Sequence, residues 1–297
     1  MTGEIVITGA KGFIGRHLVE QLEKRGYKVF GCDIEKKQSR ESGYARVDIR
    51  RCEEYEKLPK NPEAVIHLAA ISYLPQAQKN IQKAYDINVF GTYNMLKYFQ
   101  VTGAEKFIYA SSSKVYGKPQ KLPIDENHPI RPDTTYGRTK ALSEELILKF
   151  SKEHSGAYTV LRQFNIFGPG QADTFFIPTL LSQLSEKDRI VLGNINVSRD
   201  FLYIDDLVNA YMRILKSKDN GVGIYNVGSG KPTKLEKIIE LCIELSGKNP
   251  EISFDKKRIR ADERVNYCSN KRIKKTGWKP KKTIAEGLKK TMVGYGF

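Results

Sequence analysis

The chain has 297 residues, 40% of them hydrophobic, and a formal net charge of +16 at pH 7. That length can bury one large α/β domain or two lobes around a cleft, and no apolar run is long enough to cross a bilayer. Four cysteines without paired spacing (Cys32, Cys52, Cys242, Cys268) indicate free thiols in a reducing, cytoplasmic setting, and four scattered histidines give no metal-ligand spacing.

MTGEIVITGA enters structure at once, so no signal peptide is expected. EIVITGAKGFIGRHL reads as a strand, a glycine-rich turn and an amphipathic helix over 12–25. Gly9, Gly12 and Gly15 have the spacing of a pyrophosphate-binding turn: the first allows a tight turn, the second lets backbone N–H groups approach phosphate, the third permits close helix packing. The second strand, YKVFGCD, ends on Asp33. A carboxylate there accepts hydrogen bonds from an adenine-ribose 2′-OH and repels a 2′-phosphate, which points to NAD. YARVDI and EAVIHLAA are further strands, 80–102 is a helix, and KFIYASS is the next strand. A helix over 134–154 and the strand YTVLRQF complete an alternation that implies a parallel sheet with helices on both faces. Beyond Phe164 come a GPGQAD loop, a helix over 175–186, the strand RIVLG, the helix DDLVNAYMRILK, the strand GIYNVG and the helix LEKIIELCIELSG. Residues 248–297 carry fifteen Lys/Arg against five Asp/Glu. Aromatics are not interleaved with those lysines, which disfavours a nucleic-acid platform and fits an anion-attracting surface.

Two stretches carry chemistry. YASSSKVYG sets Ser111, Ser112 and Ser113 at a strand tip, where turn chemistry alone is the bland reading. TTYGRTK begins a helix with Tyr136 and Lys140 four apart on one face. An ammonium near a phenol, together with a positive nicotinamide ring, stabilises the phenolate and makes the tyrosine a usable base.

TGAKGFIG, HLAA (67–70), INVFGT (87–92), SSSKVYG, YGRTK, FNIFGPGQ (164–171), RDFLYIDD (199–206), YNVGSG (225–230) and TGWKP (276–280) resemble, in order, motifs of the extended short-chain dehydrogenase/reductase family of nucleotide-sugar epimerases, dehydratases and reductases. The resemblance implies a Rossmann-type doubly wound parallel sheet over 1–165, rejoined by a segment near 200–230. It also implies a smaller α/β lobe over 166–297 for the nucleotide sugar. Residue by residue it implies Ser112, Tyr136 and Lys140 as catalytic, Lys140 also holding the nicotinamide ribose. Phe13 and Ile14 fall in the pyrophosphate turn, Asp48 and Ile49 on the adenine side, Leu68, Ala69 and Ala70 in the loop beneath the cofactor, and Asn88 near the nicotinamide. Asn165 would contact the sugar nucleotide, and Arg199 and Arg260 its diphosphate, although RADE replaces a more usual R-x-G-D. Cys268 and Ser269 stand where the family has an Asp before the last helix, which leaves the capping of that helix open.

Ser113-Lys114 replaces the acid pair of the family's 4,6-dehydratases, so elimination of water is disfavoured. What remains is an NAD-dependent nucleotide-sugar 4-epimerase or, second, a 4-ketosugar reductase or dehydrogenase. GPGQADTFFIP resembles the reductases of GDP-linked sugars. A non-catalytic NAD- or RNA-binding relative is the alternative of another class. Pairing through the helices over 80–102 and 134–154 would make the protein a homodimer.

Overall fold

A computed structural model describes residues 3–35, 43–218, 220–255 and 264–297. In chain order the first half contains β1 (Glu4–Thr8), α1 (Phe13–Glu23), β2 (Lys28–Asp33), β3 (Tyr44–Arg46), β4 (Pro62–His67), α2 (Leu74–Lys79), α3 (Ile81–Tyr85) and α4 (Gly91–Thr102). There follow β5 (Lys106–Ser112), α5 (Thr135–Glu153), β6 (Ala157–Gln163), β7 (Asn165–Phe167), α6 (Phe176–Glu186), β8 (Arg189–Leu192), β9 (Ser198–Arg199) and β10 (Phe201–Tyr203). The remainder is α7 (Ile204–Lys216), β11 (Gly221–Val227), β12 (Thr233–Lys234), α8 (Leu235–Ser246), β13 (Glu251–Phe254), β14 (Val265–Asn266), α9 (Lys271–Lys274) and α10 (Ile284–Met292).

Seven strands form one sheet in the order β11-β6-β5-β4-β1-β2-β3, each pair parallel. The central strands are apolar throughout because both faces are covered. Their side chains divide by the pleat: Ile5, Ile7, Ala64, Ile66, Ile108 and Leu161 share one core with α1, α6, α7 and α8. Val6, Val65, Phe107, Tyr109, Tyr158 and Val160 share the other with α4 and α5. Parallel strands flanked by crossover helices place all carboxyl ends on one rim. The order reverses between β1 and β4, and a crevice opens there.

The helix expected over 80–102 is present without interruption from Ile81 to Thr102. Asn80, at φ −133°, ends α2 and caps α3 by accepting from Lys83 N (3.0 Å). Residues Asp86–Phe90 then widen into a π-helical turn before α4. Asn favours such local capping bonds over continuing a helix.

β11 returns to pair with β6, Gly221↔Ala157 through Val227↔Gln163. Three small sheets, β7–β10, β12–β9–β14 and β8–β13, stand beside the large one. Buried Asp200, between β9 and β10, ties the loop after β11 to the segment after β14, accepting from Ser229 N and Oγ (both 2.6 Å), Gly230 N (3.0 Å) and Cys268 N (3.2 Å). Cys268 also donates its thiol to Asp200 (3.2 Å). α9 begins at Asn270 without a side-chain cap, since that amide donates to Gly228 O (3.0 Å). Among the described residues no helix is long and apolar enough to cross a membrane.

Candidate active site

The crevice is a cavity of about 1030 Å³ along the carboxyl rim of the sheet. At one end β1 hands over to α1 through the glycine turn. Gly9 has φ +71°, and a Cβ there would lie 2.8 Å from Ala69 N; a Cβ on Gly15 would lie 2.1 Å from Gly9 O. Side chains at either position would push apart the backbone segments that form the cradle. No side chain caps α1 and no acidic residue occupies its first turn, so its N–H groups and positive end suit a diphosphate. Phe13 and Ile14 line the same wall.

At the tip of β2, Asp33 accepts from Lys11 N (3.1 Å) and Ile34 N (2.8 Å), which aims its carboxylate along the cavity. Asp48 lines the cavity beyond Asp33; the Arg50 guanidinium clasps it and holds its carboxyl below the usual range. Ile49 packs under the wall against Gly91, where a Cβ would meet its side chain at 2.6 Å. Leu68, Ala69 and Ala70 form the floor, and Leu68 N and Ala69 N donate to Thr8 Oγ1 (3.2 and 3.1 Å). These features fit NAD in chemistry and space: a glycine cradle for the diphosphate and a carboxylate for the ribose.

The catalytic end is built by β5, a short turn over Ser113–Val115, and α5. Ser111 donates to Glu144, which is buried and held by Arg162 Nε (3.0 and 3.1 Å) and Nη2 (2.6 Å). Ser111 therefore belongs to the framework. Ser112 accepts from Lys114 N (3.2 Å) and lines the cavity together with Tyr136. Thr134 caps α5 by accepting from Gly137 N (3.1 Å). Gly137 lets that helix end approach the serine turn, since a Cβ would sit 2.4 Å from Lys114 O.

Lys140 is buried, donates to Ala110 O (2.7 Å), and stands 4.6 Å from the Tyr109 ring centroid and 5.9 Å from that of Tyr136. Burial pulls it down to about 7, against the pull of Glu144. Burial also pushes Tyr136 up to about 12, opposed by the Ser112 hydroxyl. Without a cofactor, burial thus leaves the phenol above its ordinary value; the phenolate anticipated for this pair counts on a positive nicotinamide ring as well as on Lys140. A further positive charge at the cavity is required, and a nicotinamide ring provides one.

Beyond the sheet, Asn165 pairs with Phe201 at the start of β7 and lines the cavity, its amide donating to Asp200 O (3.3 Å). Arg199 lies on β9 with its Nη1 donating to Ser198 O (2.8 Å) and also lines the cavity. Asp200 is engaged as above, Asp206 accepts from Lys281 N and Lys282 N, and Asp205 pairs with Lys290. The far rim is formed by Tyr73 and Phe175, whose ring centroids are 6.0 Å apart, and by Gly193 and Asn194. Neither rim segment carries a recognisable motif; Tyr73 is one aromatic in a largely apolar loop, a signal too common to single out.

Every anticipated site residue within the described chain lines the cavity except Asn88. That residue is fully buried behind the wall, with Oδ1 accepting from Ile71 N (2.8 Å) and Nδ2 donating to Ile71 O (3.1 Å) and Thr139 Oγ1 (2.9 Å). Its amide is committed to the loop and to α5, so direct contact with the cofactor gives way to support of the loop that makes it. Arg260 lies outside the described residues.

The sequence model of the NAD dependent epimerase/dehydratase family matches residues 5–228. A Methanocaldococcus jannaschii protein carrying the provisional name UDP-glucose 4-epimerase is 33% identical over 97% of each chain. The GDP-6-deoxy-D-mannose reductase of Pseudomonas aeruginosa is 34% identical over 97% of this chain and 96% of its own. The crystal structure of Thermus thermophilus UDP-glucose 4-epimerase in complex with NAD superposes with a TM-score of 0.85, 26% identity and 99% coverage of both chains.

Proposed function

We propose that this chain, which belongs to the NAD dependent epimerase/dehydratase family, is a nucleotide-sugar 4-epimerase working through a transient 4-keto sugar. The carrying observation is Asp33, whose carboxylate stands on the cavity wall at the tip of β2, oriented by two backbone N–H groups. It favours the 2′-hydroxyl of NAD over a 2′-phosphate. A cofactor poised between its two redox states suits an enzyme that removes a hydride and gives it back.

Bound NAD supplies an acceptor for the C4 hydride that can also return it. Tyr136 takes the proton of the C4 hydroxyl, and Ser112 shares that oxygen through a hydrogen bond. Lys140 favours the phenolate by its charge. Asn165 and Arg199 hold the nucleotide diphosphate, Arg199 by charge-assisted bonds that lysine would mimic poorly. A substrate held by its diphosphate leaves the sugar free to turn in a roomy cavity. Lys114, on the wall beside Ser113, gives no acid for eliminating water, which argues against dehydration.

The Pseudomonas relative supports a second reading, a 4-ketosugar reductase acting on a GDP-linked sugar. The two are separated by incubating the enzyme and NAD with UDP-, GDP-, CDP- and dTDP-sugars and identifying products by NMR. A C4 epimer formed without net NADH change supports the epimerase. NADH accumulation or stoichiometric consumption with no epimer, across the whole panel, replaces it with the reductase or dehydrogenase.

We also propose a homodimer paired through the helices over 80–102 and 134–154, which leave Phe90, Tyr93 and Leu142 exposed in the single chain. Sedimentation at a monomer mass at micromolar concentration would count against it.

A further inference from the structure

His67 ends β4 just before the cofactor floor and is fully buried, together with Thr8, Asn88, Thr92 and Thr139. Its Nδ1 lies 2.7 Å from Thr8 Oγ1 and its Nε2 3.1 Å from Thr92 Oγ1. The hydrogens in this chain can be placed by elimination. Thr8 Oγ1 accepts from Ala69 N and shares Leu68 N with the Thr8 carbonyl oxygen; its own hydrogen has His67 Nδ1, at 2.7 Å, as its acceptor. At the other end Thr92 Oγ1 lies 2.6 Å from Asn88 O, a group that can only accept. Its hydrogen goes there, so a lone pair faces His67 Nε2, which must carry the ring proton. Both ends give the same answer, a neutral imidazole with its proton on Nε2. An imidazolium would aim a second N–H at a hydroxyl already approached by two backbone N–H groups.

The chain continues on both sides. Thr8 holds the N–H groups of the 68–69 floor. Asn88 clamps Ile71 at the far end of that loop and accepts, on its carbonyl, from Ser143 Oγ of α5 (2.7 Å). It donates to Thr139 Oγ1, which donates in turn to Tyr136 O (2.8 Å). Asn88 sits in the π-helical turn, an irregularity often found beside functional sites. One unbroken set of directed bonds therefore runs from the glycine-turn strand through His67 to the backbone of Tyr136.

We propose that His67, locked as the neutral Nε2–H tautomer, is a positioning residue that sets the cofactor floor, residues 68–71, in register with the catalytic helix α5. It touches neither ligand. The proposal rests on NAD lying over that floor, and not on which sugar reaction follows.

Thr92→Val is the primary test, because it removes one link at constant volume. NAD affinity is expected to fall on the order of tenfold, the scale of losing a partner behind a ligand-bearing group, in protein that remains folded at the assay temperature although the unpaired imidazole N–H lowers its melting temperature. His67→Asn keeps an acceptor near the Nδ1 position and loses the reach to Thr92, so the double variant His67→Asn/Thr92→Val should bind NAD no worse than His67→Asn alone. Nitrogen-15 NMR of the wild-type imidazole, with and without NAD, should give the Nε2–H pattern unchanged between pH 5 and 9. An Nδ1–H pattern, titration in that range, or additive losses in the double variant would overturn the proposal. So would unchanged NAD affinity in Thr92→Val. None of these readouts needs a substrate, so they stand or fall apart from the epimerase reading.

Discussion

Ser111 and Ser112 are chemically identical neighbours with opposite surroundings, because a strand turns successive side chains to opposite faces. Ser111 donates to the buried Glu144–Arg162 pair, and Ser112 lines the cavity with Tyr136 and Lys140. Ser112→Ala is expected to lower kcat by about tenfold or more, the loss of one donor to the reacting oxygen, and Ser113→Ala much less. The opposite ranking in steady-state rates would reassign the donor. Tyr136→Phe should keep NAD and substrate binding while abolishing turnover, since the ring still packs and the proton acceptor is gone. Lys140 makes a prediction with a sign. Its folded value of about 7 lies below the ordinary 10.5. Below about pH 7 both folded and unfolded chains carry the charge, and the folded state bears the whole cost of burying it. Between pH 7 and 10.5 the unfolded chain holds the extra proton, so stability from this group rises with pH and the cost is gone above 10.5. In the cofactor-free protein Lys140→Met should therefore be more stable than wild type at pH 6.5, by a few kcal/mol in order of magnitude. The difference should shrink by pH 9.5 in urea titrations. A difference independent of pH would show that the lysine bears no such cost.

At the scale of elements, the site depends on how closely α5 meets the turn after β5. Gly137 is the contact point, with Lys114 O only 2.4 Å from where a Cβ would be. Gly137→Ala forces the two apart and should cost roughly 1–3 kcal/mol, as overpacking does. It should also lower kcat more than it raises KM for the nucleotide sugar, because Ser112 and Tyr136 lie on opposite sides of that contact. An unchanged kcat with the expected stability loss would mean the contact is only structural. The elements that carry the chemistry were readable from sequence because each ends in a motif: GAKGFIG after β1, GCD in β2, SSSKVYG after β5, YGRTK in α5. Elements set by tertiary context were not. β9, β12 and β14 are two residues each, too short for any periodicity. The helix over 80–102 was readable, but not the π-helical turn within it, whose role appears only when Asn88 meets Ile71 and Thr139. His67 was passed over for the same reason: a histidine in an apolar run gives no sign of two threonine partners, 59 residues before it and 25 after.

At the scale of the whole molecule, the parallel sheet brings residues from Gly9 to Arg199 to one cavity, since its strands share a direction and their carboxyl ends a rim. That much followed from the alternation of apolar runs and helices. The far rim, Tyr73 against Phe175, did not, because it arises where two loops from distant parts of the chain converge. The net charge of +16 attracts anionic nucleotides over distances beyond contact, an effect that weakens with salt. The central claim is a cycle that removes the C4 hydrogen and returns it within one site, without an external redox partner. It is tested most directly with a nucleotide sugar carrying deuterium at C4, drawn from the panel by its turnover, together with enzyme and catalytic NAD. The account predicts a C4 epimer that retains deuterium at C4, with no label appearing in free NADH. Deuterium lost from C4 into NADH, with a keto sugar accumulating and no epimer, would contradict it.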